Sequence, residues 1–298
     1  MRGRDAFSGY HPLVNFLYFA AVLGCSMLLL HPLCLAISLL ASISYSVYLN
    51  GRRAVRFGLL YMLPLLLLTA LLNPAFNHEG VTILTYLPSG NPLTLESILY
   101  GLAAAAMLIA TITWFACFGA IITSDKFVYL FGRIIPALSL LLSMALRFVP
   151  RFRAQSRAVA DARRGVGRDA FSGGLFNRVR DGATILSILV TWSLENSIET
   201  ADSMRSRGYG LPGRSAFSIY RFERRDGCAL LWLLGSTAYL IVGCAMGALR
   251  WRYFPSVQGA PAGLFQVTVL AAYLALCLTP HFLNLREDCK WKPINSPT

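Results

Sequence analysis

The sequence predicts an all-α fold: a polytopic integral membrane protein with about six spans plus long cytoplasmic helices. Three observations carry that prediction. Of 298 residues, 56% are hydrophobic and 14% charged, against roughly 25% charged in a soluble domain. Six apolar runs approach the ~20 residues that a helix needs to cross a bilayer core, and none holds Asp, Glu, Lys or Arg between its ends. The 27 basic residues are distributed so unevenly that they orient the chain.

The first run, Leu13 to Leu30, stops at the His31-Pro32 turn, and the second covers Leu33 to Leu49. The first passes into the second without a small-residue cleavage pattern, so no cleavable signal peptide is expected. Gly51-Arg52-Arg53 through Arg56 is a short basic loop before a third span, Phe57 to Phe76. Asn77 to Pro92 lacks Lys and Arg and is read as an outside loop. Its β-branched run Val81-Thr82-Ile83-Leu84-Thr85-Tyr86, then Pro88-Ser89-Gly90-Asn91, fits a small hairpin. A fourth span runs from about Ile98 to Ile122, and two more occupy about Cys228–Leu249 and Ala262–Leu283. A polar tail with Arg286, Lys290 and Lys292 ends the chain.

Between these groups the character changes, because residues 127–227 contain 16 of the 27 basic residues. Phe127 to Val149 is apolar enough to cross, but crossing would place the arginines from Arg151 to Arg180 outside. Loops retained in the cytoplasm are enriched in Lys and Arg. Six spans with both termini inside put 25 of the 27 basic residues on the inner face, leaving Arg250 and Arg252 outside. Residues 127–149 are therefore expected along the inner face, bent near Pro136. Ile185 to Leu194 is too short to span and is expected there too. The resulting organisation is 1–124 as a four-span membrane region, 125–227 as a cytoplasmic or interfacial helical region, and 228–298 as the last spans and tail.

Much chemistry is excluded. The net charge of +13 could suit a nucleic-acid binder, but a chain with repeated uncharged apolar runs is not one, so no nucleic-acid partner is expected. No GxxxxGK[ST] loop is present to cradle phosphates, and no GxSxG or HExxH pattern appears. His11, His31, His78 and His281 are far apart, and the seven cysteines, mostly in apolar stretches, form no CxxC pair. No catalytic residue, metal site or cofactor is expected. Coupled carriers use ionisable or unwound polar sites within the membrane, and none is visible in these spans.

Two helical segments in the basic region end alike. Arg151 to Gly165 closes on Arg163-Arg164-Gly165, and Leu194 to Gly208 closes on Arg205-Ser206-Arg207-Gly208. Glycine past the last turn can adopt the left-handed conformation that stops a helix, and a cation there complements the helix dipole. Glu195, Glu199 and Asp202 share one face, and Asp202 can pair with Arg205 or Ser206 at helical spacing. One such end reads as ordinary C-capping. Two ends 43 residues apart in the most basic region suggest a pseudo-repeat presenting two equivalent tips. Gly167-Arg168-Asp169-Ala170-Phe171-Ser172 trails the first and Gly213-Arg214-Ser215-Ala216-Phe217-Ser218 the second. A third copy, Gly3-Arg4-Asp5-Ala6-Phe7-Ser8, is either chance or a matching packing segment.

Over roughly residues 5 to 250 the sequence resembles the transmembrane coupling subunit of energy-coupling-factor transporters, the EcfT/CbiQ family. Phe7-Ser8-Gly9-Tyr10-His11-Pro12-Leu13-Val14-Asn15-Phe16 and Leu146-Arg147-Phe148-Val149-Pro150 carry part of the likeness. The most specific stretch is Glu199-Thr200-Ala201-Asp202-Ser203-Met204-Arg205-Ser206-Arg207-Gly208-Tyr209-Gly210. Family members carry two short arginine-centred motifs at the tips of cytoplasmic coupling helices, matched here by Arg163-Arg164-Gly165 and Ser206-Arg207-Gly208. The first departs from the pattern, since a small residue commonly precedes the arginine; either Arg163 or Arg164 takes the central place.

The resemblance implies a non-catalytic subunit of an ATP-driven importer in a bacterial or archaeal inner membrane. Two ABC-type ATPase subunits would each receive one arginine tip, with Glu199, Asp202 and Arg205 supporting the second coupling helix. A guanidinium pairing bidentately with a carboxylate gives register as well as affinity. The apolar faces of 127–149 and 183–194 would pass ATPase motion to a substrate-binding membrane S-component that takes up vitamins or metal ions. Two other readings compete: a self-sufficient membrane carrier or channel, and a membrane enzyme with a basic cytoplasmic site for an anionic substrate. Missing intramembrane charges weigh against the carrier. Missing paired carboxylates, nucleophile motifs and clustered histidines weigh against the enzyme.

Overall fold

The computed structural model describes residues 5–86, 92–132, 136–167, 174–209, 211, 220–259 and 263–291. The chain divides into two compact units, one of Met1–Thr123 with Tyr220–Thr298, the other of Ser124–Ile219.

The first unit holds the apolar helices: α1 (Pro12–Leu28), α2 (Pro32–Asn50), α3 (Arg52–Phe76) and α4 (Leu95–Ile121), then α8 (Arg224–Ala245) and α9 (Leu264–Trp291). Five of these are long and apolar enough to cross a membrane, and α1 is a shorter apolar helix of 17 residues, at the lower limit for a span. The chain is a multi-pass membrane protein built mainly of helices. Prolines open α1 and α2, where the missing N–H would have no intrahelical partner. Gly51, with φ +56°, makes the tight turn between α2 and α3. Within α3, Gly58–Met62 winds as a π-helix, which sequence periodicity did not indicate.

The loop expected outside contains a hairpin: β1 (Ile83–Tyr86) pairs antiparallel with β2 (Pro92–Thr94), while Pro88-Ser89-Gly90-Asn91 lies outside the described residues. The buried Glu96 carboxylate accepts from the Thr82 amide and hydroxyl, and Thr94 caps α4 by accepting from Ser97 N–H at 3.3 Å. A second two-residue hairpin, β3 (Trp251–Arg252) with β4 (Gln258–Gly259), precedes α9. It carries Arg252, one of the two arginines expected outside. The last helix continues past Pro280 to Trp291 rather than ending near Leu283.

In this unit α4 is the central helix, packing on α1, α2 and α3, while α9 packs on α2 and α8. Gly101 lets α4 approach α3 closely: a Cβ there would lie 2.8 Å from the Ala70 carbonyl oxygen. Gly243 plays the same part for α8 against Val269 of α9. Small residues are how helices gain close packing where water supplies no hydrophobic drive. Fully buried Tyr18, Phe19, Tyr45, Trp114 and Tyr273 fill the centre. Trp114 Nε1 donates to Ser38 Oγ at 3.0 Å and the Tyr18 hydroxyl to the Cys277 carbonyl at 3.1 Å.

The N-terminal copy of the repeated hexapeptide is a packing segment in its described part, Asp5-Ala6-Phe7-Ser8. Phe7 is fully buried, edge-on to Tyr18 at 5.1 Å. The Asp5 carboxylate accepts from Ser8 N–H at 2.9 Å, the Tyr45 hydroxyl at 3.1 Å and the Asn284 amide at 2.5 Å. Asn284 Oδ1 in turn accepts from Ala6 N–H at 2.7 Å. Just downstream, His11 N–H donates to Asp226, which also completes a capping box with Glu223 at the start of α8. Burial lowers the His11 pKa from its ordinary value, partly offset by Asp226.

The second unit is built of α5 (Ser124–Gly132), α6 (Pro136–Gly165) and α7 (Leu175–Ser206). Residues 127–132 lie in α5 and 136–149 in α6; residues 133–135, next to the bend expected near Pro136, lie outside the described residues. The apolar stretch Ile185 to Leu194 lies in the interior of the 32-residue α7.

Candidate functional site

The two arginine-bearing helix ends belong to α6 and α7, which run antiparallel. Three contacts fix the register. Arg163 meets Asp181, Phe152 packs edge-on to Trp192 at 5.7 Å between ring centroids, and Arg147 and Arg151 share a groove with Asn196, Glu199 and Thr200. Paired positions thus sum to nearly the same number, so Arg164 lies level with the start of α7 and Arg207 with the start of α6. At 1.5 Å per residue, the two ends stand roughly 40 Å apart along the pair.

The first end differs from its expected shape. Gly165 remains helical, and the left-handed residue is Gly167, with φ +77°. Its N–H donates to the Arg164 carbonyl at 2.9 Å, so the helix closes two residues later than the Arg-Gly step implied. The two arginines there have separate fates. Arg163 is 13% exposed and forms an ion pair with the Asp181 carboxylate, while its Nη1 donates to the Asp181 carbonyl at 3.1 Å. Arg164 keeps 50% of its side chain exposed, with Asp161 of its own helix 3.6 Å away. Arg163 thus ties α6 to α7, and Arg164 is the arginine held outward.

The second end closes as expected. Gly208 is left-handed, with φ +70°. Its N–H donates to the Arg205 carbonyl at 3.0 Å, and Tyr209 N–H reaches back to the Met204 carbonyl at 3.1 Å. This is the Schellman pattern, in which glycine avoids the Cβ clash of the left-handed region. Arg207 is the exposed C-cap residue, and the Ser206 hydroxyl is turned inward to the Ser203 carbonyl at 2.9 Å. Glu199, Asp202 and Arg205 are exposed along the last turns. Among the described residues Asp202 forms no ion pair with Arg205, contrary to the spacing expectation. The two ends are not equivalent: the outward arginine lies inside the last turn of α6 but at the cap of α7. Residues 168–173 and 212–219, which hold most of the two trailing hexapeptides, lie outside the described residues.

Arg207 lines a groove of about 400 Å³ with Arg147, Arg151, Glu199, Asn196 and Tyr209. Three arginines and one acidic residue border it, a surface suited to an acidic side chain or another anion. Sequence reasoning assigned no site role to Arg147, Arg151 or Asp181. Asp181 is the sole acidic residue between Asp169 and Glu195, a signal that could have flagged it as a partner for the neighbouring arginines. Leu186, Val190, Leu194 and Ile198 recur every four residues on α7 and are 50–64% exposed. They form an apolar stripe beside the charged ends.

No family model matches the sequence. Curated relatives do. The energy-coupling factor transporter transmembrane protein EcfT of Lactobacillus helveticus is 33% identical over 106 residues, 35% of this chain and 38% of that protein. Its counterpart in Lacticaseibacillus paracasei is 34% identical over 106 residues, 35% of this chain and 40% of that protein. EcfT 1 of Listeria monocytogenes is 32% identical over the same length, again 35% and 40%. The matched segment spans about two fifths of the length of these relatives.

Proposed function

We propose that this chain, which belongs to the EcfT family of transporter transmembrane proteins, is the transmembrane coupling component of an ATP-driven importer. The observation that carries the reading is the antiparallel α6–α7 pair, which ends at each extreme in an outward arginine, Arg164 and Arg207. A separation of roughly 40 Å suits two sockets on two ATPase subunits rather than one shared site. Each guanidinium would enter an acidic groove on its ATPase, and Arg147, Arg151 and Glu199 would frame the entry beside Arg207. Nucleotide-driven closure of the ATPases would move the two ends relative to each other. The chain itself is non-catalytic in this reading, with hydrolysis left to its partners.

The apolar stripe Leu186, Val190, Leu194 and Ile198 is the surface on which a substrate-binding membrane S-component for a vitamin or metal ion would ride. Exposed contiguous apolar area of this kind marks an interaction face. Residues 125–227 form the cytoplasmic coupling region in this account, flanked by membrane regions 1–124 and 228–298. Both termini face the cytoplasm, a placement supported by the 25-to-2 division of basic residues. The test is affinity purification of the tagged chain in mild detergent with identification of what accompanies it. ABC-type ATPases and a second integral membrane protein are expected. A chain that purifies alone and transports a solute when reconstituted by itself would overturn the proposal in favour of a self-sufficient carrier.

A further inference from the structure

A groove of about 320 Å³ opens between α2, α3 and α4, bordered among others by Ile43, Val47, Val55, Leu59, Met62 and Leu66. Its wall is almost wholly apolar; of its lining residues only Ser46 and Thr113 carry a polar side-chain group, and the Thr113 hydroxyl is already bound to the Ile109 carbonyl at 2.7 Å. The π-helical stretch Gly58–Met62 forms part of the wall, and Gly58 has open space where a side chain would stand. Only 6% of the apolar window of α3 is buried within the protein, the lowest share of the five long apolar helices, so this face looks into the bilayer.

Three arginines stand at the groove's end. Arg52 and Arg56 fall at helical spacing with the lining residues Val55 and Leu59, so they continue the same stripe into the Gly51 turn. Arg53 adjoins them, and all three are exposed. Among the described residues none of the three forms an ion pair or hydrogen bond. Measured along α3, the lining runs from Ala54 to Leu66, or about 18 Å at 1.5 Å per residue. Half of a ~30 Å hydrocarbon core is about 15 Å. The groove therefore extends through one leaflet, and its charged end lies where headgroups lie.

We infer that this groove is a specific site for an anionic phospholipid, with an acyl chain along α3 and the phosphate held by Arg52, Arg53 and Arg56. Both halves of the surface fit a lipid: an uncharged channel one leaflet long, and a cationic cluster at the depth of the phosphates. A partner helix would cover the channel but would leave three cations needing carboxylates at that depth. The inference rests on the chain crossing the bilayer and not on the coupling reading.

Native mass spectrometry of the purified chain, delipidated and then titrated with phosphatidylglycerol or phosphatidylcholine, tests it. One tightly held phosphatidylglycerol is expected, with phosphatidylcholine weaker by at least tenfold. Replacing all three arginines by Gln should weaken phosphatidylglycerol on the order of 10- to 100-fold. Gly58→Phe, which fills the channel and leaves the charges in place, should also expel the lipid. Equal retention of the two lipids, or no effect of either variant, would overturn the site. A photo-crosslinker at position 59 in intact membranes should give a phospholipid adduct; a protein adduct there would overturn it as well.

Discussion

Arg163 and Arg164 are adjacent in sequence, yet the geometry assigns them opposite duties, and alanine substitution should separate them. Arg163 and Asp181 are 13% and 23% exposed, joined by an ion pair and a second hydrogen bond to the backbone. Hydrogen bonds to charged groups contribute about 1.5–3 kcal/mol, and partial solvent access places this one near the low end. Arg163→Ala should therefore cost about 2 kcal/mol of local stability, roughly 30-fold in the opening equilibrium of the α6–α7 pair. Arg164 contacts Asp161 at 3.6 Å with both side chains at least half exposed. Loss of such a pair is worth no more than about 0.5 kcal/mol, or roughly twofold. Hydrogen exchange by mass spectrometry on the purified chain in detergent reads both numbers from the amides of residues 158–166 and 179–184. Asp181→Ala should reproduce the Arg163→Ala effect, and the double variant should add little. Faster exchange in Arg164→Ala than in Arg163→Ala, or fully additive losses at Arg163 and Asp181, would refute the division of labour.

Other outcomes follow from the packing and the charge distribution. Gly101→Leu should lower stability by about 1–3 kcal/mol through overpacking against Ala70 and Asn73, whereas Gly119→Ala, which faces open space, should leave the thermal midpoint unchanged. Asp5→Ala removes the acceptor shared by Ser8, Tyr45 and Asn284; protease should then release the N-terminal segment from folded protein, while wild type resists. On a cysteine-free background, Thr85→Cys should react with an impermeant reagent added to intact cells, and Glu195→Cys should react only after lysis. Labelling of Glu195→Cys from outside would reverse the proposed topology.

The fold was legible where the membrane dictates composition. Leu33 to Leu49 or Phe57 to Phe76 cannot be anything but helical in hydrocarbon, because every backbone donor and acceptor must be satisfied within the segment. Boundaries set by local capping were less legible. Helix α6 keeps Gly165 as its last helical residue because the left-handed stop falls on Gly167, and local sequence does not choose between the two glycines. The π-helical turn at Gly58–Met62 leaves the apolar pattern of α3 intact, so nothing in the hydropathy marks it. The candidate site was legible as a pair of arginine-bearing helix ends, but not in how its two neighbouring arginines are placed. That Arg163 turns inward depends on Asp181 coming alongside from α7, a contact across 18 residues. The grouping of Arg147 and Arg151 with Arg207 likewise needs the antiparallel register, which periodicity within one helix cannot supply.

The central claim is that two arginine ends engage two ATPase subunits, and site-directed crosslinking in native membranes tests it most directly. A photo-crosslinker placed at position 164, and separately at position 207, should each capture one ATPase subunit. The doubly labelled chain should capture two, while the same group at position 221 captures none. Arg207→Glu should leave capture at 164 intact, and Arg164→Glu should leave capture at 207 intact, as expected for independent sockets. Labels at both 164 and 207 that capture only lipid, only a second copy of this chain, or nothing would contradict the account.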